Sequence, residues 1–221
     1  MPSCASLFNN GMVKQHLKDL YAGALAGLLI GLFSWIVAIN LSYQDALPLW
    51  VLIVLFVVGV PVGVLVGAAL SKFVPVLFEV VKFGVTGVLN TLVDLGVLNA
   101  LMYLTGITSG LMFSVFKGGS FIIAVVNSYL WNRFWTFKGK DSGTGREAAK
   151  FFGVSVIGFL INVSSASLVV NVMPVLFGAS PQVWANIGAI VATILSLAWN
   201  FVGYKFLVFV TKKEPAQIPV A

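Results

Sequence analysis

The sequence predicts an all-α polytopic integral membrane protein with six transmembrane helices. Of its 221 residues, 59% are hydrophobic and only 9% are charged, and the mean hydropathy is +1.02. Soluble domains carry about a quarter charged residues, so this chain lacks the polar surface that a globule in water needs. The apolar residues form six runs close to the ~20 residues that a helix needs to cross the hydrocarbon core. No run alternates with period two, and lipid leaves backbone groups without partners, so helices are expected.

The six apolar runs give the expected helix bounds. The first run is longer than the core of a signal peptide and no small-residue cleavage site follows it, so it is expected to be retained. The predicted helices span 20–41, 49–71, 83–104, 113–136, 151–173 and 183–208.

The basic residues predict the orientation in the membrane. All of the 13 Lys and Arg residues except Lys117 precede the first helix, follow the sixth, or lie around the second-to-third and fourth-to-fifth connections. The positive-inside rule therefore places both termini in the cytoplasm, in a multi-pass protein of the cytoplasmic (inner) membrane. The net charge of +6 suits anionic lipid headgroups; nucleic acid is not expected, because no soluble domain presents a basic face.

Enzymatic and metal chemistry are not indicated. Cys4 and His16 are the only Cys and His, and both precede the first helix, so neither an intrachain disulfide nor a Cys/His metal site is expected. The phosphate-binding pattern G-x-x-x-x-G-K-S/T is absent from the sequence. We expect a protein without catalytic residues, metal or cofactor.

The second part of the chain contains two similar units. The segment EVVKFGVTGVLNTLVD (79–94) aligns with EAAKFFGVSVIGFLIN (147–162), and NRFWTF (132–137) aligns with YKFLVF (204–209). Each unit is a helical hairpin that begins on the basic side, which predicts a parallel repeat, and repeat interfaces often hold the substrate site of transporters. The expected organisation is an N-terminal tail and accessory hairpin in 1–78, a core of two repeats (79–140 and 147–210) within 79–210, and a tail in 211–221.

The motifs VVNSYLWNRFWTF and KFGVTGVLNTLVD make residues 79–210 similar to the GtrA-like family. These are small membrane proteins associated with moving polyprenyl-phosphate-linked sugars across a membrane for cell-envelope polysaccharide and glycoconjugate synthesis. The resemblance implies a lipid-linked sugar as partner, together with membrane lipids. The second unit has Tyr204-Lys205 where the first has Asn132-Arg133, and residues 1–78 fall outside the four-helix core of the family.

Polar side chains inside the predicted helices are the candidate site. Such residues are costly in lipid and usually face a bundle interior or a wet cavity. The third to sixth helices each carry one polar stripe, which predicts a shared interior, whereas the first hairpin has no comparable stripe and is expected to lie outside it. The candidates for contact with a sugar headgroup are Asn90, Asp94, Lys117, Asn127, Asn162 and Asn200.

Asp94 and Lys117 are isolated intramembrane charges that helical rise places at a similar depth in the outer half of the bilayer. We predict that they form an ion pair. Such a pair either holds the outer side closed until an anionic headgroup competes for Lys117, or permanently fixes the helix register.

The ends of the fourth and sixth helices carry matched cations, Arg133 and Lys205. With Asn132 beside it, the planar guanidinium of Arg133 suits a lipid phosphate, whereas lysine acts as a point charge. Ordinary snorkelling of the two side chains to the interface is the alternative.

The first two helices carry small-residue columns, Gly23/Gly27/Gly31 and Gly59/Gly63/Gly67. Columns of this kind let helix backbones approach closely in lipid. They predict that the two helices pack on each other; a homo-oligomer interface is the alternative.

Three functions are compatible with these features. The first is translocation of a polyprenyl-phosphate-linked sugar through a polar path at the repeat interface. The second is a membrane adaptor that anchors or regulates a polyprenyl-phosphate glycosyltransferase. The third, an ion-coupled exporter of small cations, requires a dominant intramembrane carboxylate, for which Asp94 is the only candidate.

Overall fold

Six long helices account for most of the chain. The computed structural model describes residues 10–74, 76–136 and 145–203. Each helix has a segment long and apolar enough to cross a membrane, which confirms the predicted all-α, six-span fold. The helices are α1 (Asn10–Asn40), α2 (Leu49–Leu70), α3 (Leu77–Thr105), α4 (Gly110–Trp131), α5 (Gly145–Asn171) and α6 (Pro181–Gly203).

Four of the helices form a closed bundle. Each of α3, α4 and α5 packs against the next helix, and α6 also touches α3. The α1–α2 hairpin packs on this four-helix core, with α1 making the larger contact with α3. We call the end at which α1, α3 and α5 begin the basic end, because Lys18, Lys82 and Arg133 lie there, and the opposite end the distal end.

The distal half of the core is filled by apolar side chains. Leu98 and Met102 of α3 and Phe113 of α4 are almost completely buried against small residues of α5 and α6, among them Ala166 and Ala185. The alanines let α5 and α6 come close to the larger side chains. This half of the core is therefore tightly packed.

The α1–α2 contact depends on one glycine column only. A Cβ at Gly27 would lie 2.1 Å from the carbonyl oxygen of Phe56, and one at Gly31 would lie 3.1 Å from that of Leu52. By contrast, a Cβ at Gly59 or Gly63 would meet nothing within 4 Å. The prediction that α1 and α2 pack on each other is confirmed, although Gly59 and Gly63 of the second column take no part in that contact.

The sequence predicts that the accessory hairpin lies outside the polar interior. The structure instead shows α1 in contact with polar residues of α3. Near the basic end, Asp19 of α1 lies 3.5 Å from the ammonium of Lys82 on α3. At the distal end of α1, Asn40 donates a 2.6 Å hydrogen bond to Asn99. Helix α1 is thus bonded to the core at both ends.

Candidate functional site

The buried ion pair in the core joins α3 to α4. Lys117 is completely buried, and its ammonium donates to one carboxylate oxygen of Asp94. The hydroxyl of Ser120 donates to the other oxygen over 2.6 Å. The predicted pair is therefore present, and both oxygens of Asp94 are hydrogen-bonded. By helical rise, Asp94 lies roughly 16 Å and Lys117 roughly 10 Å from the distal ends of their helices.

A cluster of three asparagines lies closer to the distal end. Asn99 is completely buried and exchanges two 2.8 Å hydrogen bonds with Asn186 of α6, while its oxygen also accepts from Asn40. The cluster links α1, α3 and α6 with directional bonds. None of these three asparagines is among the candidate residues chosen from the sequence, although Asn186 belongs to the polar stripe of α6. The sequence did contain a signal for Asn99, because it is an amide inside an otherwise apolar stretch. In the structure this amide also donates to the carbonyl of Leu95, one helical turn earlier.

Five buried polar atoms elsewhere in the described ranges have no hydrogen-bond partner. Buried polar groups in folded proteins are almost always bonded, so each exception is a candidate contact for water or a ligand. All five belong to asparagines that the sequence singled out. They are the amide nitrogen of Asn127 and the amide oxygens of Asn90, Asn132, Asn162 and Asn200.

These unpartnered groups lie mainly toward the basic end. By helical rise, Asn90, Asn127, Asn132 and Asn200 are each at least about 22 Å from the distal ends of their helices, beyond the half-thickness of the hydrocarbon core. Asn162 lies farther toward the distal end. The interior is therefore asymmetric: its distal half is packed and hydrogen-bonded, whereas its basic half contains polar atoms without partners.

Helices α5 and α6 supply two of these asparagines. Asn162 is completely buried and donates to the hydroxyl of Ser196 over 3.0 Å, which leaves its oxygen unpartnered. Asn200 lies against Gly158, where a Cβ would come within 2.5 Å of the amide oxygen of Asn200. The glycine therefore makes the space in which this amide is held.

Helix α4 continues into a five-residue π-helical turn, Asn132–Thr136, which we call the end of α4 below. π-helical turns are rare and frequently occur at functional sites. The turn buries Trp135 and Thr136 against α3 and leaves Arg133 exposed. The hydroxyl of Thr136 lies 3.2 Å from that of Thr86.

A polar cluster at the basic end joins this turn to α1 and α3. The ammonium of Lys82 lies 3.3 Å from the carbonyl oxygen of Trp135 and 3.5 Å from Asp19, and the indole of Trp135 donates to the same Asp19 oxygen over 3.1 Å. Lys82 is buried, while Asp19 is partly exposed. Sequence reasoning did not select Asp19, although it is one of only 7 acidic residues in the chain.

Arg133 does not join the interior. Its guanidinium donates to the hydroxyl of Tyr129 over 2.5 Å and lies 5.9 Å from the ring of Phe134. Asn132, next to it, donates to the hydroxyl of Ser128 over 3.3 Å. The partner predicted by the repeat, Lys205, lies outside the described residues.

Among residues 10–74, 76–136 and 145–203, the structure shows no group of three or more His, Cys, Asp or Glu side chains placed to hold an ion.

The fold and the interior together define a polytopic membrane protein with a partly unsatisfied polar core. The chain belongs to the family described as GtrA/DPMS, transmembrane domain, which matches residues 82–209 and confirms the resemblance seen in the sequence. Over 128 residues it is 27% identical to an uncharacterized membrane protein, YngA, of Bacillus subtilis (strain 168), covering 58% of this chain and 77% of that protein. No solved structure matches the chain significantly. Helices α1 and α2 lie outside the family match.

Proposed function

We propose that the protein translocates a polyprenyl-phosphate-linked sugar across the membrane. The observation that carries this proposal is the set of five buried amide atoms without hydrogen-bond partners in the third to sixth helices and the turn that follows α4. Amide oxygens and nitrogens match the donors and acceptors of sugar hydroxyls. Since moving a hydroxylated headgroup through hydrocarbon costs several kcal/mol for each unpaired polar group, a path that offers such partners lowers the barrier.

The asymmetry of the interior supports a direction of access. The headgroup enters from the basic end, where Asn90, Asn127 and Asn200 have unpartnered atoms, while the isoprenoid chain remains in lipid. The packed distal half closes the path at its far end. Lys117 and Asp94 lie at the boundary, and an anionic phosphate that reaches Lys117 competes with Asp94 for the ammonium.

Translocation of this kind requires no covalent step in the protein. The sequence contains no G-x-x-x-x-G-K-S/T loop, so the driving force comes from an ion gradient, a partner protein or consumption of the product on the far side. An exporter of cations is disfavoured, because both oxygens of Asp94 are already bonded to Lys117 and Ser120.

Reconstitution tests the proposal. Purified full-length protein in liposomes is expected to accelerate transbilayer movement of a fluorescent polyprenyl-phosphate-linked sugar, read from its accessibility to a membrane-impermeant quencher. The double variant Asn90→Leu/Asn127→Leu is expected to slow this movement. Gln44→Leu is the control, because Gln44 carries an exposed amide in the α1–α2 connection. Equal rates with and without protein would refute the proposal.

One observation favours a second candidate, a membrane adaptor for a polyprenyl-phosphate glycosyltransferase. Only 11% of the α2 span is buried inside the protein, and open space lies beside Gly59 and Gly63. Small residues of this kind allow close helix contacts in lipid. An adaptor predicts no acceleration of headgroup movement. It also predicts that Gly59→Leu/Gly63→Leu lowers the activity of a co-reconstituted glycosyltransferase of this class.

A further inference from the structure

A cavity of about 490 Å³ lies at the basic end, between α1, α3 and the end of α4. Its polar lining includes buried Lys82, the buried indole of Trp135 and partly exposed Asp19. Lys18 lies at its exposed rim together with three exposed apolar side chains, those of Leu25, Leu130 and Phe134. The cavity therefore has buried polar groups inside and mostly apolar side chains at its outer edge.

The donors around the cavity are suited to an oxyanion. Two ammonium groups, those of Lys18 and Lys82, and the indole N–H of Trp135 belong to its lining. Asp19 is the acceptor for Lys82 and Trp135 in this arrangement, but its distance to the Lys82 ammonium, 3.5 Å, is longer than the ~2.8 Å of a strong charge-assisted hydrogen bond. The carboxylate thus occupies a place where another anion can bind.

The apolar rim indicates what kind of anion fits. Leu25, Leu130 and Phe134 are 52%, 46% and 64% exposed, and they belong to spans that cross the membrane, so lipid chains are their natural neighbours. Free phosphate gains nothing from such a rim. A phosphate attached to a lipid chain places its charge between Lys18 and Lys82 and its chain along the rim.

We propose that this cavity binds the phosphate of an isoprenoid membrane lipid, and that Asp19 is an internal competitor which the phosphate displaces. The identity of the lipid rests on the proposed function; the phosphate chemistry rests on Lys18, Lys82 and Trp135. Two of the lining charges, Lys18 and Asp19, come from α1, which lies outside the family match at 82–209. The accessory hairpin therefore completes a loading site that the family core by itself lacks.

Asp19 has a further role when the cavity is empty. A buried ammonium without a counter-charge is strongly unfavourable, and Lys82 is only 8% exposed. Asp19 compensates this charge until phosphate takes over. Removal of the Asp19 charge should therefore strengthen phosphate binding, whereas removal of either lysine should weaken it.

Lipid binding to the full-length protein in nanodiscs of zwitterionic lipid tests the site. The probe is a polyprenyl monophosphate, titrated while tryptophan fluorescence is recorded, because Trp131 and Trp135 line the cavity. Lys82→Gln is expected to weaken binding about tenfold or more, the effect of losing one charge-assisted hydrogen bond. Lys18→Gln, at an exposed position, is expected to weaken binding several-fold, and Asp19→Asn to strengthen it.

Matched controls separate a site from general charge attraction. Lys72→Gln removes an exposed cation at the same end, and Asp45→Asn removes an exposed carboxylate in the distal connection; neither is expected to change binding. The proposal is overturned if Lys18→Gln and Lys72→Gln have equal effects, if Asp19→Asn weakens binding, or if inorganic phosphate binds as tightly as the lipid.

The same variants keep this inference apart from the proposed function. Lipid binding that depends on Lys18 and Lys82, without any headgroup movement in liposomes, supports the loading site and counts against translocation. Headgroup movement that is unchanged in Lys18→Gln and Lys82→Gln, together with unchanged lipid binding, supports translocation and overturns the loading site.

Discussion

Lys117 and Asp94 form an ion pair from which both lipid and bulk water are excluded. Their side chains are 0% and 5% exposed, and Ser120 donates to the carboxylate oxygen that Lys117 leaves free. Burying two charges is costly, and the pair is tolerated only because each charge compensates the other. The contact therefore couples the positions of α3 and α4 in the membrane.

Removal of one member of this pair should destabilise the protein strongly. Asp94→Asn leaves the buried ammonium of Lys117 without a counter-charge, and Lys117→Met leaves the buried carboxylate of Asp94 without one. Each variant is expected to cost roughly 3–5 kcal/mol of stability. The double variant should be more stable than either single variant, because no charge remains. Thermal unfolding of the purified proteins in detergent measures these differences.

The gate hypothesis for the same pair makes a separate prediction about transport. If Lys117 releases Asp94 when a phosphate arrives, Asp94→Asn should change the rate of headgroup movement per folded molecule. If the variant lowers only the folded fraction, the pair fixes the register of α3 against α4 and the gate hypothesis is wrong.

The asparagine cluster should contribute measurably to stability. Asn99→Leu removes the partner of both Asn40 and Asn186, and interhelical hydrogen bonds in membranes are worth about 0.6 kcal/mol each and at most about 1.7. We expect a loss of about 1–2 kcal/mol. A double-mutant cycle of Asn99→Leu with Asn40→Leu, followed by thermal unfolding, should show coupling between the two positions; additive effects would contradict the role of the cluster.

The two glycine columns should respond differently to alanine. At Gly27 the new Cβ would lie 2.1 Å from backbone of α2, so the helices must separate, and overpacking of this kind costs about 1–3 kcal/mol. At Gly63 a Cβ meets nothing within 4 Å, so Gly63→Ala should leave the melting temperature unchanged or raise it. Equal destabilisation by the two changes would place α2 in a different rotation about its axis.

Much of this architecture follows from the sequence because hydropathy determines the spans and helical rise determines depth. Those two quantities predicted the six helices and the Asp94–Lys117 contact, and the cost of polar groups in lipid pointed to the five asparagines. Neither quantity reports which neighbour a helix faces. The contacts that α1 makes through Asp19 and Asn40 were missed for that reason.

The end of α4 shows a second limit of sequence reasoning. A regular helix would continue the face of Asn127 toward the basic end with 3.6-residue periodicity. In the π-helical turn each hydrogen bond spans one residue more than in an α-helix, so the side chains no longer follow the 3.6-residue period. In the structure Trp135 faces the interior while Arg133 faces out. The spacing of hydrophobic residues in the sequence does not show where a helix switches to π-helical hydrogen bonding, so it could not predict these two directions.

Gly158→Ala should alter the interior with little effect on folding. The new Cβ would come within 2.5 Å of the Asn200 amide oxygen, which is the end of a flexible side chain, so the amide moves, and alanine is about 1 kcal/mol more favourable than glycine in a helix. We expect nearly unchanged thermal stability and slower headgroup movement. Gly153→Ala on the same helix, where a Cβ meets nothing within 4 Å, is the control; it should move the headgroup at the wild-type rate and be at least as stable as the wild type.

The orientation predicted from the basic residues can be tested with the only cysteine in the sequence, Cys4. If the N-terminus is cytoplasmic, a membrane-impermeant maleimide should label Cys4 in intact cells only after permeabilisation. The opposite side is reported by Asp45→Cys in a Cys4→Ser background, since Asp45 is exposed in the α1–α2 connection, and this variant should be labelled without permeabilisation. The reverse pattern would place the basic end outside the cell. Because the unpartnered asparagines and the Lys18–Lys82 cavity both lie toward that end, the lipid-linked sugar would then have to load from the outer leaflet, and the direction proposed for translocation would be reversed.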